Sequence, residues 1–144
     1  MTEQLPPTII LSPDYIPSSK EEYMNPNQLE YFRQRLLHWR SEQLHESEET
    51  LHHLQEEDHN EPDLTDRATT ETNRALELRT RDRARKLITK IDDALARIAE
   101  GSYGYCEETG EPIGLARLEA RPIATLTLEA QERHERLEKT YRDE

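Results

Sequence analysis

The sequence predicts a mainly α protein: a long antiparallel coiled-coil hairpin on a small globular knuckle, followed by a C-terminal helix. Charged residues make up 35% of the chain and apolar residues 33%, which suits a solvent-exposed coiled coil better than a compact globule. Only four of the 144 residues are glycine, which favours helix. Two long charged runs with helical spacing of apolar residues are separated by one short turn.

Residues 1–26 are predicted to form an N-terminal arm, because prolines and serines recur in this stretch. The arm holds one short apolar piece, Ile9-Ile10-Leu11, that could dock elsewhere, and we expect the rest to be mobile. Asn25 and Pro26 suit the cap and the first turn of a helix.

The hairpin is predicted over residues 27–100. Leucines recur every seven residues in its first helix, at positions 37, 44 and 51. In the second helix, apolar side chains step by three and four and form one seam: Ala84, Leu87, Ile91, Ala94 and Ile98. The seam becomes polar towards the turn, so we expect a firm base and a mobile tip.

Residues 101–144 are predicted to form the globular end. Gly101 ends the second helix, and residues 105–114 suit a tight hairpin or knuckle. Thr127 is placed to cap a last helix that runs to about residue 142. The expected small core comprises Leu115, Leu118, Ile123 and Leu126, while Leu128 and Leu137 are expected to face the base of the coiled coil.

Composition excludes several classes of function. The net charge of −12 disfavours nucleic-acid binding through overall charge. No apolar run approaches a membrane span and no secretory signal is present, so we expect a cytoplasmic protein. A single cysteine excludes an internal disulfide and a multi-cysteine zinc site.

The predicted tip, residues 60–68, holds Pro62, which cannot continue a helix. Asp63 and Asp66 are three residues apart, so within a helix they share one face. Together they could engage a magnesium site, a basic patch or a catalytic loop of a partner. The alternative is local: Asp63 caps the second helix and Asp66 offsets its dipole.

Cations crowd the second helix around a single acid, Asp82. They could bind the phosphates of a small nucleotide or an acidic partner surface, or they could pair with the acidic distal half of the first helix. They are Arg79, Arg81, Arg83, Arg85, Lys86 and Lys90.

Four histidines and the cysteine are further candidates for chemistry. The histidines at 38, 45, 52 and 59 recur every seven residues. Successive members would lie about 10 Å apart along a helix, which is too far for them to bind one metal ion. A solvated face is the main interpretation and pH sensing the alternative. Cys106 lies among acids that should raise its pKa, which disfavours a catalytic thiolate.

Several blocks, in order, resemble the DksA family of bacterial RNA polymerase regulators. The blocks are Glu21-Glu22-Tyr23-Met24, Asp63-Leu64-Thr65-Asp66-Arg67-Ala68, Leu76-Glu77-Leu78-Arg79-Thr80-Arg81-Asp82-Arg83, Tyr103-Gly104-Tyr105-Cys106 and Arg117-Leu118-Glu119-Ala120-Arg121-Pro122. The resemblance implies a monomeric, non-enzymatic regulator that inserts its coiled coil into the secondary channel of RNA polymerase and binds no specific DNA sequence.

The resemblance also implies a mechanism: members change promoter-complex stability, at ribosomal RNA promoters among others, together with guanosine tetraphosphate in the stringent response. By resemblance, Asp63, Asp66 and Ala68 are the tip residues that face the polymerase active-site region. Arg83, Leu87 and Lys90 match positions of the alarmone site between regulator and polymerase.

Two departures from the family pattern stand out. The family holds zinc with four cysteines, but here Cys106, Thr109, Thr127 and Ala130 occupy those places, so we expect a degenerate zinc-finger-like region without metal. Gln131 stands where a lysine of the alarmone site is expected, and the lost charge should weaken the alarmone response.

Two other classes of function remain open. A transcript-cleavage factor would use the tip carboxylates to hold a second magnesium ion within the polymerase. A coiled-coil adaptor would bind another protein altogether.

Overall fold

The structure is a computed structural model that describes residues 9–60 and 66–142, with side chains described over 9–56 and 67–142. These residues form four α-helices: α1 Pro26–Asn60, α2 Asp66–Glu100, α3 Leu115–Ala120 and α4 Leu128–Arg142. α1 and α2 have 35 residues each, so each is about 52 Å long at 1.5 Å per residue. The prediction of a mainly α protein with two long helices is confirmed. Along the described residues, no helix has the length and apolar character needed to cross a bilayer.

The ends of the long helices follow the predicted capping residues. The side-chain oxygen of Asn25 accepts a hydrogen bond from the N–H of Gln28 at 3.0 Å, just before Pro26 opens α1. Gly101 terminates α2: its φ of 86° is left-handed, and its N–H donates to the carbonyl of Arg97 at 2.9 Å. Local sequence signals therefore fix where α1 begins and where α2 ends.

Contacts between residues divide the chain into two compact units. The helical unit comprises residues 37–93, and the globular unit comprises residues 1–36 and 94–144. The sequence-based boundaries at residues 26 and 100 followed the helix ends. The contacts instead group the first turns of α1 and the last turns of α2 with the globular unit.

The helical unit has a seam that changes from apolar to polar along α2. Ile91 is fully buried and Leu87 half-buried, whereas Thr80 is half-buried and Asn73 is only 5% exposed. The predicted polarity gradient of the seam is thus confirmed. A seam of this kind stabilises the helix pair less than a continuous apolar stripe would.

The leucine repeat of α1 does not mark the buried face of that helix throughout. Leu37 and Leu44 are 41% and 40% exposed, while Gln43 and Ser47 are half-buried. α1 meets α2 directly through Arg40, whose Nε lies 2.8 Å from Oδ1 of Asp92. Polar side chains therefore occupy inward positions that heptad spacing alone would assign to leucine.

The globular unit is built around Tyr103, which is 1% exposed. Its ring centroid lies 5.7 Å from that of Phe32, and its hydroxyl donates to the carbonyl of Pro122 at 2.8 Å. Of the predicted core, Leu118 is fully buried, and the other members, Leu115, Ile123 and Leu126, are half-buried. Tyr103 is a core residue that the sequence pattern did not predict.

The inward face of α4 differs from the predicted one. Leu128 and Leu137 are 54% and 58% exposed, so the expectation that they face inward is wrong. Ala130 is the fully buried residue of this helix. A small side chain suits this position because it lets the first turn of α4 approach the knuckle closely.

Within the globular unit, residues 15–25 pack against the start of the knuckle. The hydroxyl of Tyr15 donates to Glu21 at 2.9 Å, and the hydroxyl of Tyr23 donates to the carbonyl of Gly104 at 2.7 Å. Gly104 has a φ of +92°, and a Cβ there would lie 2.8 Å from Met24. The prediction of a mobile arm is therefore wrong for this stretch. Ile10, in the apolar piece expected to dock, is 91% exposed.

Candidate functional site

Two of the three predicted tip residues fall within α2. The helix begins at Asp66, and Ala68 is exposed in its first turn, where its carbonyl accepts the hydroxyl of Thr72 at 2.8 Å. Asp63 and the side chain of Asp66 lie outside the described residues. Both interpretations of these aspartates, as partner contacts or as local capping groups, therefore stay predictions.

One face of α2 forms an open groove of about 450 Å³ with a strongly basic lining. Its residues are spaced by three and four, which places them on one side of the helix. The resemblance singled out three of them, Arg83, Leu87 and Lys90. The four cations around one apolar side chain suit an anion that carries a planar or apolar part. The lining comprises Arg79, Asp82, Arg83, Lys86, Leu87 and Lys90.

Asp82 is the one carboxylate in the lining of this groove. Its Oδ1 lies 2.8 Å from Nη2 of Arg85, and its Oδ2 lies 2.9 Å from Nζ of Lys86. The hydrogen bond from Lys86, together with contacts to Arg85, lowers the pKa of the Asp82 carboxyl below its ordinary value. Asp82 therefore stays ionised at neutral pH and neutralises part of the groove.

Among the side chains that the structure describes, the basic run forms no ion pair with the acids of α1, contrary to one interpretation. Within the part of the chain whose side chains are described, no carboxylate of α1 lies within ion-pair distance of Arg79, Arg83 or Lys90. Arg40 of α1 pairs with Asp92 of α2. In this ion pair α1 supplies the cation and α2 the acid, the reverse of what that interpretation expects. The groove cations are exposed to solvent and accessible to an external anion.

The histidine stripe of α1 lies on a solvated face. Each described histidine of the stripe pairs with the glutamate four residues later, and their side chains are 73–76% exposed. The pairs are His38 with Glu42 at 2.7 Å, His45 with Glu49 at 3.1 Å and His52 with Glu56 at 3.1 Å. The solvated-face interpretation is confirmed for these three, while the side chain of His59 lies outside the described residues.

Residues 104–113 form the tight hairpin that the sequence predicted. The N–H of Cys106 donates to the carbonyl of Glu111 at 2.8 Å, and the N–H of Gly110 donates back to the carbonyl of Cys106 at 2.9 Å. A single bridge joins Tyr105 to Pro112. This hairpin holds the Cys106 side chain 3% exposed.

The thiol of Cys106 has a lowered pKa. Burial alone would raise it, but the side chain of Thr109 and the backbone N–H groups of Thr127, Thr109 and Glu108 stabilise the thiolate and bring the pKa from 9.0 to about 6. The prediction of a raised pKa is therefore wrong, because these hydrogen bonds outweigh the effect of burial. The burial of Cys106 still prevents it from acting as an accessible nucleophile.

α4 meets the knuckle through its first two turns. The Thr127 hydroxyl accepts the N–H of Ala130 at 3.3 Å, which caps the helix as predicted, and it lies 3.9 Å from Sγ of Cys106. His134 contacts the carboxylate of Glu108 in the knuckle. Gln131, the residue that replaces an expected lysine, is half-buried in the globular unit.

Comparison with known families divides the chain near the end of α2. Residues 28–98 match the family described as DnaK suppressor protein DksA, N-terminal domain, and residues 101–136 match the prokaryotic dksA/traR C4-type zinc finger. The RNA polymerase-binding transcription factor DksA of Caulobacter vibrioides is 64% identical over 131 residues, which are 91% of this chain and 92% of that protein. The chain belongs to the DksA family.

Other members of the DksA family agree with this assignment. The RNA polymerase-binding transcription factor DksA of Escherichia coli K12 is 47% identical over 109 residues, 76% of this chain and 72% of that protein. The solved structure of transcription factor DksA2 from Pseudomonas aeruginosa matches with a TM-score of 0.74 at 45% identity, covering 81% of this chain and 90% of that one. The resemblance found in the sequence is confirmed at the level of family and fold.

The four-cysteine zinc finger of the DksA family raises the question of whether this knuckle suits zinc. Cys106 supplies one thiol, Thr109 and Thr127 offer only hydroxyl groups, and Ala130 has no donor atom. The Thr127 hydroxyl is already engaged with Ala130 and Cys106. Among the described residues, no three histidine, cysteine or acidic side chains converge on one point. The donor set at these positions does not fit a zinc ion.

The block at 117–122 that resembles the DksA family has a structural role. Arg117 donates from Nε to the carbonyl of Leu126 at 2.9 Å. The Glu119 carboxylate accepts from Arg35 at 2.8 Å and from Tyr31 at 3.2 Å, which ties α3 to the first turns of α1. Sequence reasoning missed Tyr31 and Arg35; their spacing of four residues on one helix face was the available signal.

Proposed function

We propose that this protein is a non-enzymatic transcription regulator that binds RNA polymerase through the secondary channel and modulates the stability of promoter complexes. The observation that carries the proposal is membership of the DksA family over both parts of the chain, since its relatives are named RNA polymerase-binding transcription factors. The structure supports it with two 35-residue helices that adjoin residues 61–65.

In this mechanism the globular unit, which includes α4, binds the rim of the channel, and the ends of α1 and α2 next to residues 61–65 enter the channel. The ends of α1 and α2 bring Asp63, Asp66 and Ala68 towards the polymerase active-site region. The two carboxylates would act on basic groups or bound magnesium there, and the small side chain of Ala68 permits close approach. Promoter complexes, including those at ribosomal RNA promoters, would be destabilised without contact to a specific DNA sequence.

Guanosine tetraphosphate is the proposed co-regulator, bound where the basic groove of α2 meets the polymerase. Arg83 and Lys90 would bind phosphate groups and Leu87 would contact the apolar part of the nucleotide. This places the protein in the stringent response. Gln131 contributes no charge to such a site, so the response is expected to be weaker than in a relative with lysine there.

The proposed regulator works without structural zinc. In place of zinc, the contact between Thr127 and Cys106 and the burial of Ala130 would hold α4 against the knuckle. Metal analysis of the purified protein tests this part, and we expect far less than one zinc ion per chain. One zinc per chain would contradict it.

Replacement of Asp66 by asparagine tests the tip mechanism. Transcription from a ribosomal promoter is measured with the wild-type protein, Asp66→Asn and Glu71→Gln, a matched charge loss on the exposed surface of α2. We expect Asp66→Asn to bind polymerase normally but to inhibit about tenfold less or weaker still at equal occupancy, because a hydrogen bond to a charged group contributes about 1.5–3 kcal/mol. Full inhibition by Asp66→Asn at normal affinity would disprove the mechanism.

Backtracked transcription complexes separate this proposal from transcript cleavage. Only a cleavage factor shortens the RNA in such complexes, and we expect no shortening. Recovery of partners from a lysate without any polymerase subunit would instead favour a coiled-coil adaptor.

A further inference from the structure

The basic groove of α2 contains one acid, and that acid is in direct contact with one of its cations. We propose that Asp82 is the internal counter-ion of the groove: it holds Lys86 until a polyphosphate anion takes its place, and it thereby sets the affinity and selectivity for that anion. This inference rests on the proposed role of the groove as a guanosine tetraphosphate site.

The contacts of Asp82 are suited to exchange. Lys86 lines the groove and Arg85 does not, so the carboxylate connects a groove cation to one outside it. The side chains of Asp82 and Lys86 are 44% and 71% exposed. An ion pair so open to solvent is weak and is easily replaced by another anion.

The surrounding charge explains why a counter-ion is needed here. Asp82 is the only acid between Glu77 and Asp92. Arg79 and Arg83 are four residues apart on the helix, a spacing at which like charges repel. Asp82 relieves this repulsion, and an incoming phosphate would do the same. Because two anions in one groove repel each other, Asp82 and the phosphate compete for the same cations.

This competition favours anions with more than one phosphate group. A single phosphate that displaces Asp82 from Lys86 exchanges one ionic contact for another. A diphosphate can bind Lys86 and a second cation together; Arg83 is within one turn of Lys86, and Lys90 lies about one turn further on. Asp82 thus discriminates against single phosphates.

The first test titrates the isolated protein with pyrophosphate and with inorganic phosphate, followed by amide NMR shifts along α2. Asp82→Asn is compared with Asp93→Asn, which removes the same charge at an exposed site of the helix outside the groove. We expect Asp82→Asn to bind pyrophosphate about two- to fivefold more tightly than Asp93→Asn, the range that one exposed ion pair supports. We also expect its preference for pyrophosphate over phosphate to fall. Equal affinities and preferences in the two variants would overturn the inference.

A second variant distinguishes a counter-ion from a general charge effect. In a Lys86→Gln background, Asp82→Asn should lose most of its effect on affinity, because the contact between the two side chains is already absent. An undiminished gain would show that Asp82 acts only through net charge and would contradict the proposal. Circular dichroism at 222 nm checks that the variants keep their helices.

A transcription assay separates failure of this inference from failure of the proposed function. With polymerase present, Asp82→Asn should lower the concentration of guanosine tetraphosphate that gives half the maximal effect, relative to Asp93→Asn. If the wild-type protein shows no response to the nucleotide, the proposed function of the groove fails, while the pyrophosphate titration still decides the role of Asp82. Tighter polymerase binding by Asp82→Asn without nucleotide would mean that the groove takes an acidic protein segment, and would overturn the inference.

Discussion

The two units of this chain are stabilised in opposite ways. In the globular unit, residues far apart in sequence meet: Tyr23 bonds Gly104 across 81 positions and Arg35 bonds Glu119 across 84. In the helical unit, most ion pairs join side chains three or four residues apart, as between Asp82 and Lys86. The globular unit thus depends on tertiary contacts and the helical unit largely on helix-local ones.

This difference suits the two units to different tasks. A surface that binds a partner must keep its charged groups accessible, and the cations of the helical unit are exposed in this way. The polar seam of the same unit buries less apolar surface, which lowers its stability. The globular unit buries Phe32, Tyr103 and Leu118 completely or almost completely. We therefore expect most of the resistance to unfolding to lie in the globular unit.

The largest effect expected from this comparison is the loss of Phe32. Phe32→Ala removes a fully buried ring that packs 5.7 Å from Tyr103, and we expect a cost of about 3–5 kcal/mol in the free energy of unfolding. Leu44→Ala is the control in the helical unit, where the side chain is 40% exposed, and it should cost less than about 1 kcal/mol.

Urea unfolding can follow the two units separately. All six tyrosines lie in the globular unit, and the single tryptophan, Trp39, lies in the helical unit. Tyrosine near-ultraviolet circular dichroism and tryptophan fluorescence therefore report on different parts of the chain. A cost of Leu44→Ala equal to that of Phe32→Ala would break the comparison, since it would give both units the same dependence on buried apolar groups.

The helix bounds were predictable because their signals are local. Asn25, Pro26 and Gly101 each act within a few residues of their own position, so sequence alone located the start of α1 and the end of α2. The buried faces were less predictable. Leu37 and Leu128 are leucines at helical spacing, yet both are exposed. Which face of a helix is buried depends on the elements that pack against it, and spacing within one helix does not show these.

In the candidate site too, features set by local spacing were predictable and features set by tertiary contacts were not. Arg83, Leu87 and Lys90 share one helix face by spacing alone, so the sequence could bring them together. The pKa of Cys106 could not be predicted in this way. Burial raises it, and the Thr109 side chain together with N–H groups of the hairpin and of Thr127, 21 positions away, lowers it more; only the folded knuckle brings Thr127 to the thiol.

The smallest expected effect concerns residues 15–25 and tests whether their contacts stabilise the globular unit. The Glu21 carboxylate accepts hydrogen bonds from the hydroxyl of Tyr15 and the N–H of Ser18, each at 2.9 Å. The bond from Tyr15 contributes most to lowering the pKa of Glu21 below its ordinary value of 4.5. A lowered pKa in the folded state gives stability that is fully present above about pH 4.5 and is lost as the pH falls through the folded-state value.

Glu21→Gln removes this titration, and Glu22→Gln makes the same charge change at an exposed neighbour. The difference in unfolding free energy between the wild-type protein and Glu21→Gln should be largest near pH 7 and should shrink as the pH is lowered below 4.5. Tyrosine circular dichroism in urea measures it. A difference that does not change with pH, or one that Glu22→Gln reproduces, would mean that the contacts of Glu21 contribute nothing specific to the stability of the globular unit.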